Sequence, residues 1–212
     1  MSLVETTDKY GSLKLLILSN LVTIIFAVFF NWSIYVIMWG YWCQSVIIGI
    51  FNFLRMLTLK NYSTKGLLMN NQPVKPSFRA KLSISFFFLF HYGFFHFGYM
   101  VFLAAFSSGQ ITANDFLAIL MITFIFFLNH LFSFIFYRKK QEKQNLGTML
   151  FFPYVRIVPM HLTILFGGIF LGSVVALTPV LVFFLLLKTA ADVVMHSIEH
   201  GIALPKKISE FR

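Results

Sequence analysis

Six histidines and one aspartate are the side chains best able to do chemistry in this sequence, because most of them fall within long apolar runs. An ionisable group inside a membrane span is costly, from about 2.5 kcal/mol upward for a charge at the helix centre. We therefore expect such groups to meet each other or a shared ion. The predicted metal ligands are His91, His130, His161, Asp192 and His196.

Similar depth within the apolar runs is the reason for grouping these residues. At about 1.5 Å per helical residue, four of them fall near or somewhat inside the middle of separate helices: His91, His130, His161 and Asp192. Convergence on one interior cavity is then the least costly arrangement. Imidazoles with a carboxylate suit a divalent transition metal, and we expect Zn, Fe or Cu rather than haem. Cys43 is the only cysteine, which excludes a thiolate cluster.

The last apolar run carries ionisable residues one helical turn apart, namely Lys188, Asp192, His196 and His200. This spacing places them on one face, where Lys188 can pair with Asp192 and Asp192 can orient His196. The segment from His196 to His200 also matches the H-x-x-E-H pattern of inverted zinc proteases. Because that pattern is short and needs a further acidic ligand well downstream, a solvated helix end at the cytoplasmic surface is the preferred interpretation.

Additional candidates accompany the predicted ligands: His96, Gln44, Arg156, Lys188 and His200. His96 is placed closer to the outer face of the bilayer. Pro159 predicts a kink or break just ahead of His161, where Arg156 could neutralise Asp192 or an anionic head group. The alternative, slightly favoured, is that Arg156 extends to lipid phosphate.

The sequence assigns no residue a catalytic role. Any one histidine is better explained by a hydrogen bond across helices, which contributes about 0.6 kcal/mol. For the predicted ligands taken together, a bound metal ion and hydrogen bonding across helices are given equal weight.

The elements that must position these residues are predicted from composition. The chain has 212 residues, of which 58% are hydrophobic and 11% charged, against roughly 25% charged in soluble domains. Apolar runs of about 18 residues or more are what a bilayer core requires. Six spans are predicted, at about residues 13–30, 34–57, 82–106, 115–137, 148–171 and 174–198, with a cytoplasmic loop at 58–81.

The distribution of charge predicts the orientation of the chain. The 17 Lys and Arg exceed the 7 Asp and Glu, and they concentrate after the second and fourth spans. This pattern obeys the positive-inside rule and puts both termini in the cytoplasm. The predicted fold is an all-α, polytopic transmembrane helical bundle, one domain over 1–212, in the cell membrane. We expect the lipid bilayer as a partner, a homo-oligomer or a membrane-complex subunit role, and no nucleic acid.

Several motifs carry a resemblance to a known family: WCQSVIIGIFN from Trp42, HYGFFH from His91, PYVR and PMHLT from Pro153 and Pro159, and KTAADVVMH from Lys188. Over most of its length the chain resembles an uncharacterised prokaryotic family of integral membrane proteins, one of the domains of unknown function. That family usually has a glutamate where this sequence has Gln44, so the resemblance implies one carboxylate fewer here. His130 looks similar as well, whereas His200 falls outside the pattern.

Three functions follow from these residues as hypotheses. The leading one is an intramembrane metal-binding protein, with metal-dependent chemistry on a membrane-soluble substrate if the ion is catalytic. The second is a proton-coupled or ion transporter that uses the same residues. The third is a non-catalytic membrane subunit or scaffold, in which the polar groups only hold the helices together.

Overall fold

The helical prediction is confirmed by a computed structural model, which describes residues 3–137, 144–170 and 177–199. The first four helices are α1 (Leu3–Phe29), α2 (Ile34–Thr58), α3 (Phe78–Phe106) and α4 (Ala113–Tyr137). They are followed by α5 (Leu146–Phe151), a 3₁₀ helix (Phe152–Arg156), α6 (Ile157–Phe170) and α7 (Leu177–Glu199). His200 and the side chain of His196 lie outside the described residues.

Short strands correct the all-α prediction: three lie in the loop between α2 and α3, and a fourth lies directly before α5. The strands are β1 (Tyr62–Ser63), β2 (Leu68–Met69), β3 (Gln72–Pro73) and β4 (Gln144–Asn145). β2 pairs with β3 in an antiparallel hairpin, and β1 pairs with β4 in parallel. The loop is therefore a folded element joined to the segment that precedes α5.

Two helix starts differ from the apolar pattern because side chains cap them. α3 begins at Phe78 rather than near residue 82, since the Ser77 hydroxyl accepts a hydrogen bond from the Ala80 amide at 3.1 Å. At the start of α4, the Thr112 hydroxyl accepts from the Asp115 amide at 3.2 Å, and the Asp115 carboxylate accepts from the Thr112 amide at 2.9 Å. Reciprocal bonds of this kind fix the first turn of a helix.

The predicted break ahead of His161 takes the form of the 3₁₀ helix Phe152–Arg156. α6 begins at Ile157, so Pro159 lies in its first turn. Amide groups in a first turn have no partner within the helix, and proline costs little there. The change in helix type therefore precedes the proline.

The chain divides into two compact units, the first made of Met1–Ile34 and Val155–Arg212 and the second of Tyr35–Tyr154. In the first unit, α7 packs against α1 and α6, and its buried residues include Val180, Leu181 and Phe184. In the second unit, α2 contacts α4 through the Phe51 ring, whose centroid lies 5.8 Å from that of Phe127.

Three helices among the described residues are long and apolar enough to cross a membrane: Ile34–Thr58, Phe78–Phe106 and Ala113–Ile135. Large apolar side chains on two of them are exposed, including Phe90 and Phe94 on α3 and Phe124 and Ile125 on α4, at 72%, 74%, 61% and 67%. A contiguous apolar surface of this kind is unfavourable in water and marks a membrane or protein contact.

Candidate functional site

The first candidate site is an ion pair on α7. Lys188 Nζ donates to Asp192 Oδ2 at 2.7 Å, so the predicted pairing one turn apart is present. Lys188 Nζ also donates to the amide oxygen of Asn20, on α1, at 3.1 Å. The side chains of Lys188 and Asp192 are 25% and 15% exposed. The ammonium group is thus held between a carboxylate and a neutral acceptor at the packed face of α1 and α7.

The first unit also contains Arg156, His161 and His196 among the predicted residues. Asp192 pairs with Lys188, and the role considered for Arg156 beside Asp192 stays a prediction. Arg156 ends the 3₁₀ helix and is half buried, while His161 is exposed on α6. His196 lies on α7, where its side chain is outside the described part.

His96 is the most deeply placed histidine in the second unit. It is 5% exposed, and its Nδ1–H donates to the backbone oxygen of Tyr92 at 2.9 Å. Its ring stacks on Tyr92 with centroids 4.2 Å apart. Because Nδ1 carries the proton, Nε2 presents a lone pair in the neutral ring. His96 is thus buried within the second unit, and its position towards the outer face of the bilayer stays a prediction.

Two aromatic donors from different helices connect α2 to α3 around His96. Trp42 Nε1 donates to the backbone oxygen of His96 at 2.9 Å, and the Tyr92 hydroxyl donates to the backbone oxygen of Ser45 at 3.0 Å. Gly49 lies directly against the Tyr92 ring, and a Cβ at Gly49 would be 2.5 Å from Tyr92 Cε1. The close approach of the two helices thus depends on that glycine.

The second polar contact is between His91 and Tyr154. His91 is exposed on α3, and its Nδ1 lies 2.7 Å from the Tyr154 hydroxyl. Tyr154 packs edge-on against Phe88 and Tyr92, with centroids 6.1 and 5.5 Å away. The half-buried phenol therefore fixes one ring nitrogen of His91 and leaves the other directed away from this contact.

His130 and Gln44 show contacts typical of helix packing. The Nδ1–H of His130 donates to the Phe126 backbone oxygen at 3.3 Å, and the ring stacks on Phe126 with centroids 4.3 Å apart. Gln44 is half buried on α2. Within the second unit, His91, His96 and His130 each stack on a different aromatic neighbour.

The predicted metal ligands are divided between the two units. His161, Asp192 and His196 belong to the first, and His91 and His130 belong to the second. Across the part of the chain that the structure describes, no three His, Cys, Asp or Glu side chains lie together in a way that could hold a metal ion. The set of five is untested as a whole, because the His196 side chain is outside that part.

Three residues that matter in these contacts were not among the predicted ones. Asn20 is an amide inside an apolar run, and that signal could have marked it. Tyr154 and Ser45 gave no such signal, because tyrosine and serine are common within helices. Ser45 is 2% exposed, and its hydroxyl oxygen has no hydrogen-bond partner among the described residues.

Comparison with known proteins places the chain in a family without assigning an activity. No curated protein and no solved structure matches it. A family model described as "Family of unknown function (DUF6498)" matches residues 4–209. Because this match covers nearly the whole sequence, the chain belongs to the DUF6498 family of unknown function.

Proposed function

We propose that this protein is a multi-pass protein of the cell membrane, with six spans and both termini in the cytoplasm. The three long apolar helices and their exposed phenylalanines support a membrane location. The basic loop after α2 supports the orientation. α7 supplies a further helix of 23 residues, about 35 Å long at 1.5 Å per residue.

Within this membrane protein, we propose that Asp192 and Lys188 form the coupling site of a proton-coupled or ion transporter. The observation that carries the proposal is the three-member contact of Asn20, Lys188 and Asp192. Charged groups in a span are expensive, and they mark ion pathways when they face the protein interior. A pair that served only to hold α1 against α7 could be replaced by apolar side chains at little cost.

In this proposal the pair alternates between two states. With Asp192 ionised, Lys188 acts as a tethered cation that neutralises it at 2.7 Å. When a proton or a metal cation binds the carboxylate, the ammonium loses its counter-ion and retains the Asn20 amide oxygen. Lys188 and the transported cation therefore compete for one carboxylate, which is the condition for exchange between them.

The test is cation-dependent proton flux in proteoliposomes, followed by a pH-sensitive dye under Na⁺ or K⁺ gradients. We expect flux from the wild-type protein and its loss to the level of empty liposomes in Asp192→Asn. Asp115→Asn is the matched control, because the Asp115 carboxylate caps the start of α4, where it accepts from the Thr112 amide. Wild-type protein without flux, or equal flux in Asp192→Asn, would contradict the proposal.

Metal binding is the second candidate, and His96 is the observation that favours it. Ligating histidines usually donate one ring N–H to a carbonyl or carboxylate and bind the ion through the other nitrogen. His96 has that arrangement, with Nδ1 on the Tyr92 oxygen. The ion would be Zn, Fe or Cu, bound through the second ring nitrogen of His96.

Elemental analysis of protein purified without chelators tests this second candidate. We expect close to one metal ion per chain and a clear loss in His96→Ala. Far less than one ion per chain in the wild type would contradict the metal-binding candidate and leave the transporter proposal intact.

A further inference from the structure

The loop between α2 and α3 is a folded element with a fixed base. Leu67 is 9% exposed, and its side chain packs against Gly147, where an added Cβ would lie 3.2 Å from Leu67 Cγ. The Thr64 hydroxyl donates to the Val74 backbone oxygen at 2.5 Å, and the Val74 amide donates to the Leu67 oxygen at 3.0 Å. These bonds close the loop below the β2–β3 hairpin.

The tip of this hairpin is apolar and exposed. Asn70 and Asn71 both have positive φ, at 52° and 60°, as a two-residue type I′ turn requires. Leu68 and Met69, immediately before the turn, are 66% and 58% exposed. Because their neighbour Leu67 is buried in the base, the alternation of a strand directs Leu68 away from it. The structure thus presents two large apolar side chains on an otherwise polar loop.

Basic residues flank the hairpin on both sides in the sequence. The exposed ones in the loop and the first turn of α3 are Lys60, Lys65, Lys75 and Arg79, and the segment from residue 59 to 81 contains no acidic residue. Phe78, at the first position of α3, is 70% exposed. Apolar side chains flanked by lysine and arginine are typical of surfaces that bind anionic lipid headgroups.

Both ends of the loop lie at the same end of the α2–α3 pair. Lys81 Nζ, in the second turn of α3, donates to the backbone oxygens of Leu57 and Leu59 at 3.0 and 2.9 Å. α2 ends at Thr58 and α3 begins at Phe78, and both helices are candidate spans. If these helices cross the bilayer, the hairpin lies at the headgroup level of one leaflet.

We infer that the β2–β3 hairpin is a binding surface for anionic phospholipid. Leu68 and Met69 enter the boundary between headgroups and acyl chains, and the flanking lysines and Arg79 contact phosphate groups. The inference rests on the proposed membrane location, and it is independent of the proposed role of Asp192. Positive charge that faces the cytoplasmic leaflet is complementary to the anionic lipids concentrated there.

A fluorescent probe at the tip tests the inference in the full-length protein. A Cys43→Ala background carries a single new cysteine, Met69→Cys, labelled with an environment-sensitive dye. The protein is placed in nanodiscs of phosphatidylcholine with or without phosphatidylglycerol. We expect the emission to shift to the blue and to be quenched by brominated acyl chains. Both effects should increase with the content of phosphatidylglycerol. Replacing Lys60, Lys65, Lys75 and Arg79 by Gln should remove that dependence.

Two reporters separate failure of this inference from failure of the membrane proposal. Phe124→Cys, on the exposed face of α4, reports the bilayer interior, and Gln110→Cys, after α3, reports water. A Met69 probe that behaves like the Gln110 probe, beside an embedded Phe124 probe, would overturn the lipid surface alone. A Phe124 probe in water would overturn the membrane location and the hairpin inference with it.

Discussion

Gly49 is the residue on which the close approach of α2 and α3 depends most directly. Gly49→Ala would put a Cβ 2.5 Å from the Tyr92 ring, which is held in place by its hydrogen bond to Ser45 and its stacking on His96. We expect a loss of about 1–3 kcal/mol in the free energy of unfolding, measured in detergent by circular dichroism.

Gly93→Ala is the matched control for that substitution. An added Cβ at Gly93 meets nothing within 4 Å, so the variant should be as stable as the wild type or gain up to about 1 kcal/mol from helix propensity. If the Gly49→Ala and Gly93→Ala variants were equally stable, the close approach of α2 and α3 at Gly49 would contribute nothing measurable to stability.

The Lys188–Asp192 pair gives a second prediction at the scale of the residue. Lys188→Met or Asp192→Leu alone leaves one partly buried charge without its partner, and we expect each to cost about 1–3 kcal/mol of stability. The double variant should be more stable than the less stable of the two singles. A double-mutant cycle of denaturant unfolding measures this difference, and strictly additive losses would contradict the coupling.

The sequence alone could not decide whether His91 or His96 lies on the buried face of α3. Similar depth favoured His91 as an interior ligand, whereas the structure exposes His91 and buries His96. α3 has phenylalanine on all sides, so its apolar pattern does not fix its rotation. The contacts of Tyr92 with Gly49 and Ser45 fix it instead, and they depend on a neighbouring helix.

At the scale of the element, Lys81 caps the end of α2 from the neighbouring helix. It is 8% exposed and donates to two backbone oxygens that have no partner further along α2. Lys81→Met keeps the packing volume but removes both bonds, so we expect a loss of about 1–3 kcal/mol in the free energy of unfolding. Lys75→Met, on the exposed part of the same loop, should change stability by less than about 0.5 kcal/mol.

The positions of the helices were predictable because bilayer thickness sets the length of an apolar run. The ends of α2 and α4 lie within two residues of the prediction, whereas α3 begins four residues earlier than predicted, because its cap Ser77 lies outside the apolar run. The two-residue strands of the α2–α3 loop are too short to show a periodic pattern. The Asn70–Asn71 turn was the signal available for the hairpin.

At the scale of the whole molecule, the proposed orientation with six spans gives a prediction about access. In the Cys43→Ala background, Ser108→Cys should react with a membrane-impermeant thiol reagent on intact cells, whereas Lys60→Cys should react only after permeabilisation. Phe124→Cys, on the exposed apolar face of α4, should react slowly in both conditions. If Lys60→Cys were labelled on intact cells, the orientation would be the opposite of the proposed one, with the basic loop outside the cell.

The hydrogen bonds between α2 and α3 have a mechanical consequence. Each helix accepts an aromatic donor of the other at a main-chain oxygen, and Trp39 Nε1 adds a third bond, to the Ser107 hydroxyl, at 3.0 Å. Sliding one helix along the other by a single turn would break all three bonds together. We therefore expect α2 and α3 to move together as one rigid pair. A conformational change of the protein would then occur where this pair meets other segments of the chain.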